Sequence, residues 1–264
     1  MWCGMGEETA YHFWIDKRDR FVCGWGRFLA GLKCCPTGLA FPVIRLVLLP
    51  VLILAGLTFL FRNTGMDFEI QRSIYFAGDK SWVLGEGALW QFLYRYGAVP
   101  GFALVIASFV GVILSFCFES WRGWRRIFIF NILLLAIGPG VVANGVFKEY
   151  CGRPRPLEVK ELGGRSDFKP VLEVKTTGSG KSFPSGHATM GFYFVGPFFL
   201  LRRHRRRLSH LMLEVGIALG MLIGIAGMAQ GSHFLSDVVW SFFVCYTVAL
   251  SLYYALGLHK GLWR

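Results

Sequence analysis

The chain has 264 residues, 54% of them hydrophobic and only 17% charged, with a mean hydropathy of +0.49. A water-soluble domain of this length rarely runs so apolar, so the composition argues against a soluble enzyme and for an integral membrane protein. Lys and Arg number 28 against 16 Asp and Glu, a net charge of +12. Because the cations gather in short loops between apolar runs, their expected neighbours are anionic lipid headgroups rather than nucleic acid.

Residues 1–37 interleave aromatics with cations, as in Phe13, Trp14, Lys17, Arg18, Phe21, Trp25 and Arg27, with no apolar core ahead of a small-residue cleavage site. This suits an interfacial segment on the cytoplasmic headgroups, or equally a partly unfolded tail, rather than a cleaved leader. Residues 38–264 read as one all-α, polytopic membrane domain. Six apolar stretches, near 39–61, 97–118, 127–147, 185–201, 211–230 and 235–257, approach the roughly 20 residues that a bilayer of about 30 Å requires. Met66 to Ala77 is too short for a span and carries Asp67, Glu69 and Arg72, so it reads as an amphipathic surface helix.

Arg122, Arg125 and Arg126 follow the second stretch, and Arg202, Arg203, Arg205, Arg206 and Arg207 follow the fourth. With six spans these loops and both termini fall on one side, which the positive-inside rule makes cytoplasmic. The loop 157–183 is then outward, and Val171 to Lys175 alternates enough for one weak strand. The seven cysteines (Cys3, Cys23, Cys34, Cys35, Cys117, Cys151 and Cys245) show no metal-ligand spacing, and no disulfide framework is expected.

Three polar islands interrupt the apolar chain: Lys148 to Pro156, Phe183 to His187, and Gly231 to Asp237. The topology places all three on the outward face, periplasmic in a bacterial inner membrane. Ser185 is a good helix N-cap, Gly186 allows close approach to the backbone, and His187 sits in the first turn, beside any anion bound at the helix start. A plain capped helix would also account for these residues. Lys148 and Arg155 add cations; Pro154 and Pro156 flank Arg155 and limit its backbone. His233 and Asp237 stand four apart, so on a helix a carboxylate would fix one imidazole nitrogen and free the other. The islands are rich in cations and poor in carboxylates, which suits phosphate; no metal or other cofactor is expected.

Lys148-x6-Arg155-Pro156, Pro184-Ser185-Gly186-His187 and His233-x3-Asp237 resemble, in order, the three signature motifs of the type 2 phosphatidic acid phosphatase superfamily. The resemblance implies a helical bundle and a metal-independent phosphatase working through a phosphohistidine. It makes His233 the nucleophile, Asp237 its orienting partner and His187 the acid for the leaving group. Lys148, Arg155, Ser185 and the Gly186 amide would hold the phosphate. The run from Met228 to Asp237 resembles bacterial members acting on lipid A or isoprenoid phosphates. One departure stands out: the third motif normally opens Ser-Arg, and this chain has Ala226-Gly227. The missing guanidinium leaves three readings: an impaired enzyme, one in which Arg153 or Lys181 stands in, or a relative that binds lipid phosphate without turnover. Phosphotransfer to a second lipid is the alternative within enzymes. The membrane and a lipid phosphate are the expected partners, and the sequence gives no oligomeric state.

Overall fold

The computed structural model describes residues 44–75, 82–173 and 180–261. The chain divides into two compact units, Met1–Leu48 and Leu49–Arg264. Of the first, only the π-helical turn Ile44–Leu48 is described; the expected interfacial segment 1–37 and Cys3, Cys23, Cys34 and Cys35 lie outside the described residues. Among the described cysteines, Cys117, Cys151 and Cys245 are free thiols.

The second unit is helical. It comprises α1 (Leu49–Thr64), α2 (Met66–Ile74), α3 (Ala88–Tyr96), α4 (Val99–Cys117), α5 (Arg125–Leu135), α6 (Gly186–Phe192), α7 (Gly196–Leu201), α8 (Arg206–Ala229) and α9 (Leu235–Ala255), with short helical turns between them. Five helical stretches among the described residues are long and apolar enough to cross a membrane: Ile44–Thr64, Ala88–Cys117, Arg125–Glu158, Arg206–Ala229 and Leu235–Ala255. The second begins earlier than the sequence suggested, because α3, with Gln91 and Arg95, precedes the apolar run. The expected fourth stretch is helical over 186–201, but a 3₁₀ turn at Tyr193–Val195 divides it and it falls short of that length. Gly196 and Pro197 mark the break. Most of this stretch is buried, so it forms the inner element around which the others pack.

Small residues set the packing. On α4 the buried positions include Gly101, Ser108, Gly111 and Ser115, a helical stripe; a Cβ at Gly111 would lie 2.7 Å from the Phe128 ring of α5. On α8, Gly216, Gly220 and Gly224 repeat every four residues. A Cβ there would meet Val195 N at 2.7 Å, the Phe192 ring at 2.1 Å and Val238 at 2.4 Å, respectively. In lipid no hydrophobic drive brings helices together, so this close backbone approach and its dispersion contacts supply the association. The result clamps the end of α6, whose first turn bears His187, and the start of α9, beside His233, against one helix.

Beyond α5 the helix widens into a π-helical segment, Ala136–Phe147, containing Pro139, and ends in the turn Lys148–Cys151. Proline removes one backbone donor and crowds the preceding turn; Asn144 Nδ2 donates to the Pro139 carbonyl at 2.5 Å. Helix α2 starts at Gly65, whose φ of 63° lies in the left-handed region that glycine tolerates. Its amphipathic character is as read, but its inner face is polar: Asp67 and Gln71 are buried, and Gln71 Nε2 donates to the Met228 carbonyl at 2.7 Å. The expected strand over 171–175 does not form in its described part. Val171 and Leu172 lie in a turn, with Leu172 at φ 59°. The reason is burial at one end: Val171 packs with Phe61, Cys151 and Phe183, which leaves no room for a flat ladder. A single bridge, Val159 to Ser166, is the β pairing found among the described residues.

Replacing Gly220 with Leu should force Phe192 out of place and lose the monodisperse detergent-solubilised protein, or lower its melting temperature by several degrees. Gly56→Leu, where a Cβ meets nothing within 4 Å, should leave both size-exclusion profile and melting temperature near wild type. Equal behaviour of the two variants would refute the glycine-packing account.

Candidate active site

The three islands converge at one end of the bundle. His233 lies just before α9, in the short link from α8, and is 3% exposed. Its Nδ1–H donates to the Ser182 carbonyl at 2.8 Å. A carbonyl can only accept, so the proton is assigned to Nδ1 and the lone pair to Nε2. Burial, followed by the His187, Lys148 and Arg155 charges, pushes the His233 pKa down to about 3. The imidazole is therefore neutral, and a potential nucleophile, across the ordinary pH range.

Asp237 does not make the direct bond expected from the four-residue spacing. Its Oδ2 is 3.9 Å from His233 Nδ1, and accepts instead from Ser182 Oγ at 2.5 Å and the Phe234 N–H at 2.8 Å. The physical reason is that His233 precedes the N-cap residue Phe234, so the two residues do not share a helix face, and Asp237 caps the helix start. Asp237 thus reaches His233 through Ser182: its carboxylate accepts from the serine hydroxyl, and the same serine's carbonyl accepts the hydrogen bond from the imidazole Nδ1–H.

Arg153 supplies the other half of this framework. It is 2% exposed. Its Nη1 donates to Asp237 Oδ1 at 2.5 Å and Ser236 Oγ at 2.8 Å, its Nη2 to Asp67 Oδ2 at 2.9 Å, and its Nε to the Lys169 carbonyl at 2.9 Å. Asp67 also accepts from the Ser236 amide at 2.8 Å and from the Ser236 hydroxyl. The guanidinium lies over the Phe234 ring at 4.3 Å. With its donors engaged in this way, Arg153 is not a spare cation for phosphate. Lys181 is exposed.

Lys148 Nζ donates to Asn144 Oδ1 at 2.5 Å, and a Cβ on Gly186 would lie 3.1 Å from that Nζ. The missing side chain at Gly186 thus lets the Lys148 ammonium sit against the helix start. Ser185 Oγ accepts from the Ala188 N–H at 3.2 Å, capping α6. Arg155 is half-buried, and its charge is felt at both His187 and His233. His187 is stacked on Tyr94 with ring centroids 4.4 Å apart, and lies 6.3 Å from the His233 ring. Tyr94 in turn shares a hydrogen bond with Ser232 at 3.0 Å. Gly227 lies against the nucleophile candidate: a Cβ there would be 3.1 Å from His233 Cδ2.

The structure therefore brings Lys148, Gly186, His187 and His233 around one space, puts Ser185 and Asp237 beneath it as buried supports, and sets Arg155 near enough to act by charge. The sequence reading missed Asp67, Asn144, Ser182 and Tyr94. Asp67 reads as a solvent-facing charge on a short amphipathic helix, and no local spacing marks the others. Among the described residues no group of three or more His, Cys, Asp or Glu side chains converges as a metal site would require.

Two imidazoles with ring centroids 6.3 Å apart thus stand beside Lys148 and Arg155 at one end of a bundle of membrane-type helices. The family model of the PAP2 superfamily matches residues 128–259, half of the chain, and the protein belongs to that superfamily. It is 35% identical over 138 residues to a lipid A 4'-phosphatase of Francisella tularensis subsp. novicida, covering 52% of this chain and 61% of the relative. To phosphatidylglycerophosphatase B of Bacillus subtilis it is 29% identical over 145 residues, covering 53% and 61%. To a lipid A 4'-phosphatase of Rhizobium leguminosarum it is 35% identical over 107 residues, covering 40% and 44%. The matched region is thus less than two thirds of each of these relatives. The crystal structure of a transmembrane PAP2 type phosphatidylglycerolphosphate phosphatase from Bacillus subtilis aligns with a TM-score of 0.47 at 18% identity, over 78% of this chain and 92% of that one.

Arg153→Met should destabilise the folded protein by about 3–5 kcal/mol, because it strands the Asp67 and Asp237 carboxylates without their cation. Thermal unfolding in detergent would read this as a large drop in midpoint. The double variant Arg153→Met with Asp67→Asn should recover part of the loss, and an additive result would rule out the coupling.

Proposed function

We propose that this protein is a membrane lipid phosphatase that removes a phosphate monoester or diphosphate from a lipid by way of a phosphohistidine. The observation that carries the reading is the state of His233: Nδ1–H is tied to the Ser182 carbonyl at 2.8 Å, which leaves Nε2 as a fixed, neutral nucleophile. His233 Nε2 attacks phosphorus as the lipid oxygen departs on the far side, and His187 protonates that oxygen. Water then attacks the phosphohistidine, with His187 now taking the proton, and inorganic phosphate leaves. Lys148, Arg155 and the Gly186 amide offset the charge on the equatorial oxygens. Ser185 holds the helix start that presents the amide. The relatives' names support this reaction class and offer lipid A and phosphatidylglycerol phosphate as candidate substrates; an isoprenoid phosphate is a third candidate, from the resemblance of Met228 to Asp237 alone.

The reading further takes Gly186–Leu201 as a sixth crossing. An even number of crossings gathers Arg122, Arg125 and Arg126 with Arg202 to Arg207 on the cytoplasmic side and puts the site on the periplasmic face of a bacterial inner membrane. A single cysteine introduced at Asp167, in an otherwise cysteine-free protein, should react with a membrane-impermeant thiol reagent on intact spheroplasts. One introduced at Arg205 should react only after lysis, and the reverse pattern would overturn this orientation.

Gly227 favours a second reading, a lipid-phosphate binder with impaired turnover, because the position where the superfamily motif carries Arg has no side chain here. Both readings meet one assay: phosphate release from a panel of lipid phosphates by the purified protein, with chelator present. The first reading expects release that His233→Gln lowers by more than about 10³-fold while leaving the fold intact. It also expects Gly227→Arg to raise the rate by as much as about 10²-fold, the scale of one transition-state contact. If wild type and Gly227→Arg are both inert while lipid phosphate still binds, the binder is the better account.

A further inference from the structure

The two imidazoles are held in different ways. His233 is fixed by a hydrogen bond through Nδ1, whereas neither ring nitrogen of His187 has a hydrogen-bond partner among the described residues. His187 is partly exposed in the first turn of α6, where an imidazole turns freely about its side-chain bonds unless another group packs on its face. The Tyr94 ring does so: its centroid is 4.4 Å from that of His187, with the planes 27° apart. A stack of this kind fixes the plane of the imidazole and occupies neither nitrogen. That suits a group that, in the reaction proposed above, must give up a proton and later take one back.

Tyr94 is itself held. Its hydroxyl shares a hydrogen bond with Ser232 Oγ at 3.0 Å, and Ser232, next to His233, is 4% exposed. The Ser232 N–H donates to the Gly227 carbonyl at 2.9 Å, so the partner of the hydroxyl is fixed to the end of α8. Close backbone approach holds α3 and the turn before it to that same helix: a Cβ at Gly97 would lie 2.8 Å from Ile223 Cγ1, and one at Gly85 would lie 2.5 Å from the Ala229 carbonyl oxygen. Gln230 Nε2 adds a hydrogen bond to the Gly85 carbonyl at 2.6 Å. Tyr94 therefore has its ring on the candidate acid and its hydroxyl beside the candidate nucleophile, with α8 as the common base. We propose that Tyr94 is a positioning residue, whose ring aims His187 at the leaving oxygen and whose hydroxyl registers that aim to His233. The proposal rests on the phosphatase reading, because only a leaving group gives His187 an oxygen to protonate.

The experiment compares leaving groups. Turnover is measured as kcat/KM, which reports the steps up to transfer onto His233. The substrates are phosphatidylglycerol phosphate, phosphatidic acid and lipid A, which release an alcohol, and p-nitrophenyl phosphate, whose phenolate departs without a proton. Tyr94→Leu should lower kcat/KM about tenfold or more on the lipid esters, part of the roughly 10²–10⁴-fold that acid–base catalysis supplies, and by less than about threefold on the aryl ester. Tyr94→Phe, which keeps the ring, should recover most of the loss. In a His187→Ala background Tyr94→Leu should cost nothing further on the lipid, because there is then no acid to aim; this cycle decides by itself should the aryl ester not be turned over. Size exclusion and melting temperature check folding, and Tyr94→Met takes the place of the Leu variant if that one does not fold. No loss on the lipid esters, equal losses on lipid and aryl esters, or a full further loss in the His187→Ala background would overturn the proposal and leave the phosphatase reading intact. A wild-type protein that releases phosphate from none of these substrates removes the phosphatase reading, and the role of Tyr94 with it.

Discussion

The guanidinium of Arg153, shared between the carboxylates of Asp67 and Asp237, ties together three stretches of chain that nothing covalent brings together: the loop after α5, the start of α2 and the start of α9. Burying three charged groups is costly, and attraction compensates only when geometry and remaining hydrogen bonds are complete. Here they nearly are. Four of the five N–H groups of Arg153 have acceptors, and Asp237 has both oxygens engaged. What the framework holds is Ser182, because its hydroxyl is taken by Asp237 and its N–H donates to the Arg153 carbonyl at 3.0 Å. With Ser182 fixed, its carbonyl fixes the imidazole of His233. Orientation of the candidate nucleophile is therefore a property of the ion network, transmitted through one backbone carbonyl.

Much of this was legible in the sequence, and the exceptions have physical causes. The apolar runs announced the helices because burial in a bilayer demands long uninterrupted stretches, and the islands stood out against them. Residues such as Lys148, His187 and His233 could be singled out because each is out of character with its surroundings. Asp67 could not: a charge on a short amphipathic helix has solvent as its ordinary partner, and only the fold brings Arg153 to it. Arg153 itself was read as a candidate phosphate clamp, since a sequence does not reveal that two carboxylates have already claimed it. The spacing of His233 and Asp237 pointed to the right pair by a geometry they do not adopt, because the helix begins only at Leu235, two residues after His233. Helix α3 escaped notice for the opposite reason, its Gln91 and Arg95 breaking the apolar pattern.

Glycine carries a second constraint. Gly191, Gly216, Gly220 and Gly224 bring backbones and rings to distances that a methyl group would prevent, so the elements bearing His187 and His233 are registered against α8 by the absence of side chains. Gly227 continues that stripe to the His233 ring itself. The position where the superfamily motif carries a cation thus borders the same close-packed seam, and a Cβ there, 3.1 Å from His233 Cδ2, needs the imidazole to give by only a few tenths of an ångström.

The layering of charge around His233 also determines which way traffic can run. Inward of the imidazole lie Asp67 and Asp237 against Arg153 alone, an excess of acceptor oxygen; at the mouth stand Lys148 and Arg155. An anion would, in the proposed reaction, be drawn towards Lys148 and Arg155 and repelled by the Asp67 and Asp237 carboxylates. In the proposed reaction the freed inorganic phosphate would linger on the same cations that greet the next lipid. Product inhibition would then follow from the arrangement of charge, with departure of phosphate, rather than chemistry, setting the pace when phosphate is abundant.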